Sequence, residues 1–163
     1  MRTDGAAAAL RSAAPAVLWL DTGHRPEPTA AGLPSRTDLV VVGGGFTGLW
    51  AAVQAKEDDP SRSVVLIESG RIADQATGRN GGFCSSSLTH GIENGVARFP
   101  REMERIERIA ADNFAGIQST VERYGIDCDW RSAGGLSVAT APWLVDGLAE
   151  AAELAERYGH DIE

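Results

Sequence analysis

The sequence is poor in the residues that build disulfide frameworks and metal sites. Its 163 residues include two cysteines, Cys84 and Cys128, which lie far apart and form no C-x-x-C pair, and three scattered histidines. A disulfide framework and a zinc site are both disfavoured by this spacing. We therefore expect no metal, and the cysteine usage is typical of a protein of the reducing cytoplasm.

Positive charge and long apolar runs are also lacking. Lysine and arginine total 15 against 23 aspartates and glutamates, for a formal net charge of -8. Such an acidic chain has no electrostatic footprint for nucleic acid or an anionic membrane surface. No run approaches the roughly 18 apolar residues of a membrane span, and Arg11 and Pro15 interrupt the alanine-rich start. We expect neither nucleic acid nor membrane as a partner.

Glycine is the residue present in excess. The chain has 19 glycines, more than the average of roughly 7% predicts. The length suits one domain, and glycines and prolines break the pattern of residues 1–36. We predict that residues 1–36 form an arm that lies across a domain and attaches at Trp19, and that residues 37–163 form the domain.

A βαβ unit is predicted at the start of that domain. The run 38–42 (DLVVV) is typical of a strand buried on both faces of a parallel sheet. Residues 49–56 read as a helix, and residues 63–67 (SVVLI) as a second buried strand. The fold class is therefore α/β, with a Rossmann-like parallel sheet.

Further segments are predicted from apolar spacing and turn residues. In chain order they are a loop over 70–97, a helix over 100–124, short strands over 126–130 and 136–140, and a helix over 142–158. Gly125 and Gly159 are placed to end the two helices.

The sharpest signal is the run GGGFTG at 43–48, which satisfies G-x-G-x-x-G. Gly43 would allow the tight turn out of the strand, and Gly45 would let the backbone approach a pyrophosphate closely. Gly48 would let the helix pack against the strand. The motif predicts a dinucleotide site.

An acid follows at the required spacing. Glu68 ends the second strand twenty residues after Gly48, where a carboxylate accepts hydrogen bonds from the adenosine ribose. The amides at the helix start, at Phe46 and Thr47, would point at the phosphates. The acid disfavours the 2′-phosphate of NADP, and the motif leaves NAD and FAD open. The alternative is a packing turn followed by a chance surface glutamate.

A second glycine cluster favours FAD over NAD. It offers backbone amides and close approach to another extended part of a cofactor, and its arginine adds a cation that can meet a phosphate or a flavin edge. The cluster consists of Thr77, Gly78, Arg79, Asn80, Gly81 and Gly82. Its alternative explanation is a mobile surface loop.

Residues 38–83 (DLVVVGGGFTGLWAAVQ…VVLIESGRIADQATGRNGGF) resemble the FAD-dependent amine and amino-acid oxidoreductases of the D-amino-acid-oxidase superfamily, closest to the γ-glutamylputrescine oxidoreductase-like members. The WLDT run at 19–22 and the DPS turn at 59–61 support that branch. The resemblance implies FAD as cofactor, with its pyrophosphate at Gly43–Gly48, its ribose on Glu68 and its flavin side near residues 77–82. It also implies that Ser69 and Arg71 line the adenine side.

The resemblance further implies oxidation of a C–N bond of a small amine or amino acid by hydride transfer to flavin. Members of the family carry a β-sheet substrate domain, and a later segment completes the flavin site. Neither is present in this chain, so we expect an FAD-binding domain incomplete at its C-terminus, which binds the ADP half and is inactive alone. No catalytic residue is assigned. Two alternatives are an NAD-dependent oxidoreductase with the same motif and a non-catalytic Rossmann-like remnant.

Overall fold

The computed structural model describes residues 8, 10, 11, 13, 16–21 and 32–162. The chain forms two compact units, Met1–Phe83 and Cys84–Glu163. Much of the predicted arm, including residues 22–31, lies outside the described residues. The boundary predicted at residue 37 stays a prediction.

The first unit contains the predicted βαβ arrangement. Strand β1 (Leu39–Val42) pairs in parallel with strand β2 (Val64–Ile67), and helix α1 (Phe46–Asp58) connects them. The register places Leu39 opposite Val64 and Val42 opposite Ile67. The parallel pairing and the crossover helix confirm the α/β fold class.

Polar side chains join the beginnings of the two strands. The Asp38 carboxylate accepts hydrogen bonds from the Ser63 amide (2.8 Å) and the Ser63 hydroxyl (2.6 Å). The Thr37 hydroxyl donates to the Ser63 carbonyl at 2.9 Å. These contacts extend the pairing one step before the first ladder residue and help to set the register.

The prediction that the first strand is buried on both faces is wrong. Successive side chains of a strand point to opposite faces, and Val40 and Val42 remain 51% and 79% exposed. Leu39 and Val41 are half-buried, since Val41 lies on the side where α1 packs. Within the described residues, α1 covers one face of β1 and the opposite face stays open.

The second unit contains three α-helices in its described residues. They are α2 (Ile92–Arg98), α3 (Met103–Tyr124) and α4 (Val145–Arg157). Met103, at the start of α3, is 1% exposed, and a Cβ at Gly95 would lie 2.6 Å from its sulfur. Gly95 is therefore needed where α2 meets α3. Gly125 ends α3 in the left-handed conformation, as predicted.

Two predictions for this unit are wrong. Residues 126–130 and 136–140 form no strand, and α2 lies in the predicted loop over 70–97. A strand needs a partner for its backbone groups, and here the Trp130 ring packs against Phe114 on α3, with centroids 5.7 Å apart. Leu136 stays 90% exposed.

Three short 3-10 helices complete the described secondary structure. They are Leu18–Leu20, Ala76–Gly78 and Pro142–Leu144, the last of which leads directly into α4. Gly159, with φ of 84°, follows the end of α4 as predicted. Among the described residues, no helix combines the length and apolar character needed to cross a membrane.

Candidate cofactor site

The glycine turn joins β1 to α1 through a conformation that other residues rarely adopt. Gly43 has φ of 107°, and its amide donates to the Ile67 carbonyl at 2.8 Å, continuing the β1–β2 ladder. A Cβ at Gly48 would overlap the Gly43 carbonyl oxygen and lie 3.3 Å from Val41. Gly43 therefore permits the turn, and Gly48 permits α1 to pack closely against it.

Glu68 follows β2 directly and turns its carboxylate towards the glycine turn. One oxygen, Oε2, accepts from the Gly44 amide at 2.7 Å. The other, Oε1, accepts from the Gly70 amide at 2.9 Å and the Ser69 hydroxyl at 3.1 Å. The Gly44 amide first, and then the Gly70 amide and the Ser69 hydroxyl, lower the pKa of Glu68 below its ordinary value of 4.5. The side chain is therefore an oriented anion at neutral pH.

Gly44 lies within the predicted pyrophosphate turn, but no role of its own was predicted for it. Its amide donates to Glu68, and its carbonyl accepts from the Ala73 amide at 3.1 Å, so its backbone joins β2 and the following loop. It is buried, and a Cβ there would lie 3.0 Å from Ile72 Cγ1. The available signal was that the residue between the two required glycines of G-x-G is itself a glycine, although the motif accepts any residue there.

The N-terminus of α1 lies beside this acid. Gly45 is the N-cap and provides no side chain, so the first amide of the helix, Phe46, donates to Thr77 Oγ1 at 3.0 Å. Leu49 makes the first intrahelical bond, to the Gly45 carbonyl at 3.0 Å. The amides of Thr47 and Gly48 precede that bond and point out of the helix end, where the dipole favours an anion.

A cleft of about 160 Å³ lies between the helix end and Glu68. It is lined by Gly44, Gly45, Glu68, Arg71, Ala73, Asp74, Gln75, Ala76 and Thr77. The closest atom to a Cβ at Gly45 would be Thr77 Oγ1 at 3.1 Å. The bare Gly45 backbone therefore forms one wall of the cleft, where a larger residue would project inwards.

The second glycine cluster packs against the N-terminal segment. A Cβ at Gly78 would overlap the Ala73 carbonyl and lie 2.9 Å from Val17 Cγ1. At Gly82, where φ is 78°, a Cβ would lie 2.7 Å from the Trp19 ring. These two glycines thus accommodate the protein's own chain, in addition to the role towards the cofactor that was predicted for them.

Comparison with known proteins identifies the family. Residues 38–163 match the family described as DAO, FAD dependent oxidoreductase. The chain belongs to this family. FAD is the cofactor of its members, and the cleft fits part of such a cofactor because it combines a side-chain-free wall at Gly45 with the helix end and an oriented acid.

The curated relatives are longer than this chain. It is 38% identical over 126 residues to gamma-glutamylputrescine oxidoreductase of Escherichia coli, covering 76% of this chain and 28% of that protein. It is 28% identical over 114 residues to the probable oxidoreductase OrdL of Haemophilus influenzae, covering 69% of this chain and 26% of that protein. The chain therefore spans about a quarter of each relative. No solved structure matches it significantly.

In this member of the family, the predicted cofactor residues fall into three groups. Those that line the cleft are Gly45, Glu68, Arg71 and Thr77. Outside the lining, Gly43, Phe46, Thr47 and Gly48 belong to the glycine turn or the start of α1, and Ser69 and Gly78 directly follow the lining residues Glu68 and Thr77 in the sequence. Those outside the lining and exposed are Arg79, Asn80, Gly81 and Gly82. Their roles towards FAD stay predictions.

Arg79 and Asn80 are held by local hydrogen bonds. Arg79 Nε donates to the Asp74 carbonyl at 2.9 Å. Asn80 Oδ1 accepts from the Gly82 amide at 2.8 Å, and its side-chain amide donates to the Thr77 carbonyl. These bonds give the exposed cluster a defined backbone course. Within the described residues, no three His, Cys, Asp or Glu side chains group as a metal site.

Proposed function

We propose that this chain binds the ADP half of FAD as part of an oxidoreductase that oxidises a C–N bond of an amine or amino acid. The observation that supports this most directly is that the α1 N-terminus and the Glu68 carboxylate share one cleft. A dinucleotide needs a phosphate site and a ribose site at such short range, and a helix end next to an acid provides both.

In this proposal the pyrophosphate lies against Gly45 and the first amides of α1. The helix dipole and the amides of Thr47 and Gly48 favour the negative charge. Thr77 Oγ1 accepts from Phe46, so its hydroxyl hydrogen remains able to donate to a phosphate oxygen. The Thr77 hydroxyl would then link the first amide of α1 to the phosphate through two consecutive hydrogen bonds.

The adenosine ribose would be held by Glu68. A carboxylate has about four acceptor positions, and the three bonds to Gly44, Ser69 and Gly70 leave capacity on Oε2. A ribose hydroxyl can donate there. A 2′-phosphate would meet the negative charge of Glu68, which favours FAD over NADP.

The cleft is small for a whole dinucleotide. At about 160 Å³ it lies below the roughly 300–1,000 Å³ of sites that enclose a drug-sized ligand. This supports a division in which Gly45, Glu68 and Thr77 hold the ADP half. The flavin half would extend over the segment that follows Thr77.

The reaction class rests on the relatives. When bound, FAD supplies a two-electron acceptor for the oxidation of a C–N bond to an imine. The name of the Escherichia coli relative, at 38% identity, supports an amine substrate. This chain's own residues hold and orient the cofactor in the proposal.

We further propose a cytoplasmic location, because Cys84 and Cys128 are both exposed free thiols.

Ligand titrations of the purified chain test this function. We expect calorimetry to show binding of FAD and ADP and much weaker binding of NADP, because Glu68 opposes the 2′-phosphate. Binding of NAD with no binding of FAD would instead support the NAD-dependent alternative. Binding of neither FAD nor ADP would overturn the proposal.

The variant Gly45→Val tests the phosphate site itself. Gly45 has extended backbone angles, φ -86° and ψ -179°, which valine adopts without strain. We expect the fold to persist and FAD affinity to fall by at least roughly tenfold, since the side chain enters the cleft. Gly135→Val, where a Cβ meets nothing within 4 Å, is the matched control. Unchanged affinity in Gly45→Val would contradict the pyrophosphate assignment.

A further inference from the structure

We propose that Trp19 is a positioning residue for FAD: it holds the segment Asn80–Gly82 in the conformation that receives the flavin half. The inference rests on the proposed function, because it assumes that the flavin half extends past Thr77. It adds a role for an N-terminal residue that lies 61 positions from its partner along the chain.

Two different contacts join Trp19 to this segment. The indole nitrogen donates to the Asn80 carbonyl at 2.9 Å. The six-membered ring lies on Gly82, where a Cβ would come within 2.7 and 2.8 Å of the ring atoms Cζ2 and Cη2. Only glycine allows the ring to approach this closely, and only an indole combines that ring with a donor at this edge.

A second residue of the N-terminal segment anchors the same cluster. Val17 is buried, with 6% of its surface exposed, and its Cγ1 would lie 2.9 Å from a Cβ at Gly78. Trp19 lies within the 3-10 helix Leu18–Leu20, whose Leu20 amide donates to the Val17 carbonyl at 3.0 Å. This turn therefore sets the distance between Val17 and Trp19. Val17 therefore fixes the beginning of the cluster and Trp19 its end.

The segment has no sheet or helix to define it beyond Gly78. Its shape depends on Gly82, with φ of 78°, on the bond from the Gly82 amide to Asn80 Oδ1, and on the bond to Trp19. A segment that is ordered before binding spares the ligand the entropic cost of ordering it. Trp19 thus reduces the entropic cost of FAD binding.

This role is selective for one half of the cofactor. The contacts proposed for ADP are made by Gly45, Glu68 and Thr77, and in the part of the chain that the structure describes the Trp19 side chain donates its hydrogen bond to Asn80 and not to these residues. FAD adds a flavin half, which in the proposal reaches Asn80–Gly82. Loss of Trp19 should therefore weaken FAD binding and leave ADP binding intact, whereas a general loss of structure would weaken both.

Calorimetric titration of the full chain with FAD and with ADP tests the inference. For Trp19→Ala we expect FAD affinity to fall by roughly tenfold and ADP affinity to change by less than about twofold. Trp19→Phe keeps a ring on Gly82 but lacks the N–H donor, so its FAD affinity should lie between those of the wild type and Trp19→Ala. Trp143→Ala, at an 81% exposed position of the other unit, is the control.

The visible circular dichroism of the flavin gives a second measurement. At saturating FAD, the band induced in the wild-type complex should be weaker in Trp19→Ala and partly restored in Trp19→Phe. Equal loss of FAD and ADP affinity, or no loss of either, would overturn the positioning role while leaving the proposed function standing. Failure of the wild-type chain to bind both ligands would overturn the proposed function and the inference together.

Discussion

At the scale of single residues, Glu68 organises the cleft. It contacts the glycine turn through Gly44 and its own loop through Ser69 and Gly70, so one carboxylate connects two segments of the chain. The acid is predictable from the sequence because its spacing from Gly48 is local to the βαβ unit. Its contact with the turn is not predictable, since that contact depends on where the carboxylate points.

Replacing Glu68 with glutamine tests its charge with little change in shape. An amide has one acceptor oxygen and an N–H₂ group, so it cannot accept on both sides as the carboxylate does. We expect FAD affinity to fall roughly tenfold, because a charged acceptor is exchanged for a neutral one. Calorimetry measures the change, and Glu150→Gln, exposed on α4, is the control. Equal affinity in both variants would contradict the ribose assignment.

At the scale of elements, predictions succeeded where the determining signal is local. The course and end of α3 follow from apolar spacing and from Gly125, all within its own sequence, although the helix begins at Met103 and not at residue 100 as predicted. The strands predicted over 126–130 and 136–140 failed because a strand exists only with a partner. Between the two predicted strands Gly134 has a positive φ of 69°, but the described secondary structure has neither a turn nor a strand there.

Gly116 within α3 and Gly125 directly after it give opposite predictions for the same substitution. Gly125 is left-handed, with φ of 58° and ψ of 41°, so Gly125→Ala should lower the free energy of unfolding by about 1 kcal/mol. Gly116 lies inside the helix with nothing within 4 Å of a Cβ. Gly116→Ala should therefore raise it by about 0.5–1 kcal/mol.

Chemical denaturation followed by helical circular dichroism measures both variants of α3. The two changes are expected to have opposite signs under identical conditions. Destabilisation of both variants to the same extent would show that Gly116 has a packing role that its open surroundings do not reveal.

At the scale of the whole molecule, the first unit has a specific sensitivity to acid. Hydrogen bonds from Ser63 lower the pKa of Asp38 below its ordinary value of 3.8, and hydrogen bonds from Ser61 do the same for Asp59. The pKa of Glu68 is lowered as well. Around and below the ordinary pKa values of these carboxyl groups, the folded unit therefore binds fewer protons than the unfolded chain. The stability of the unit falls as the pH drops through that range.

Because folding lowers the pKa of Asp38, this carboxylate stabilises the folded unit at neutral pH and loses that effect in acid. The stabilisation from Asp38 is complete above pH 3.8, its ordinary pKa, and disappears as the pH falls through the lower pKa of the folded state. Asp38→Asn should therefore be less stable than the wild type at neutral pH, with a difference that narrows in acid. Ser63→Ala, which removes one donor, should show a smaller effect in the same direction.

Hydrogen exchange of the β1 and β2 amides follows the stability of this unit in particular. The rates should converge between wild type and Asp38→Asn as the pH is lowered, after correction for intrinsic exchange. A constant difference across the pH range would show that the carboxylate charge of Asp38 is not what stabilises the strand pairing.

The sequence by itself determined the βαβ unit, the glycine turn with its acid, the helix end at Gly125 and, through its resemblance, the family. Each depends on residues close together in the chain, where backbone conformation and spacing carry the information. Only the tertiary structure decided which face of β1 is covered, that Thr77 caps α1 and that Trp19 lies on Gly82. The contacts of Thr77 and Trp19 join residues 31 and 61 positions apart, and the course of the intervening chain decides whether such partners meet.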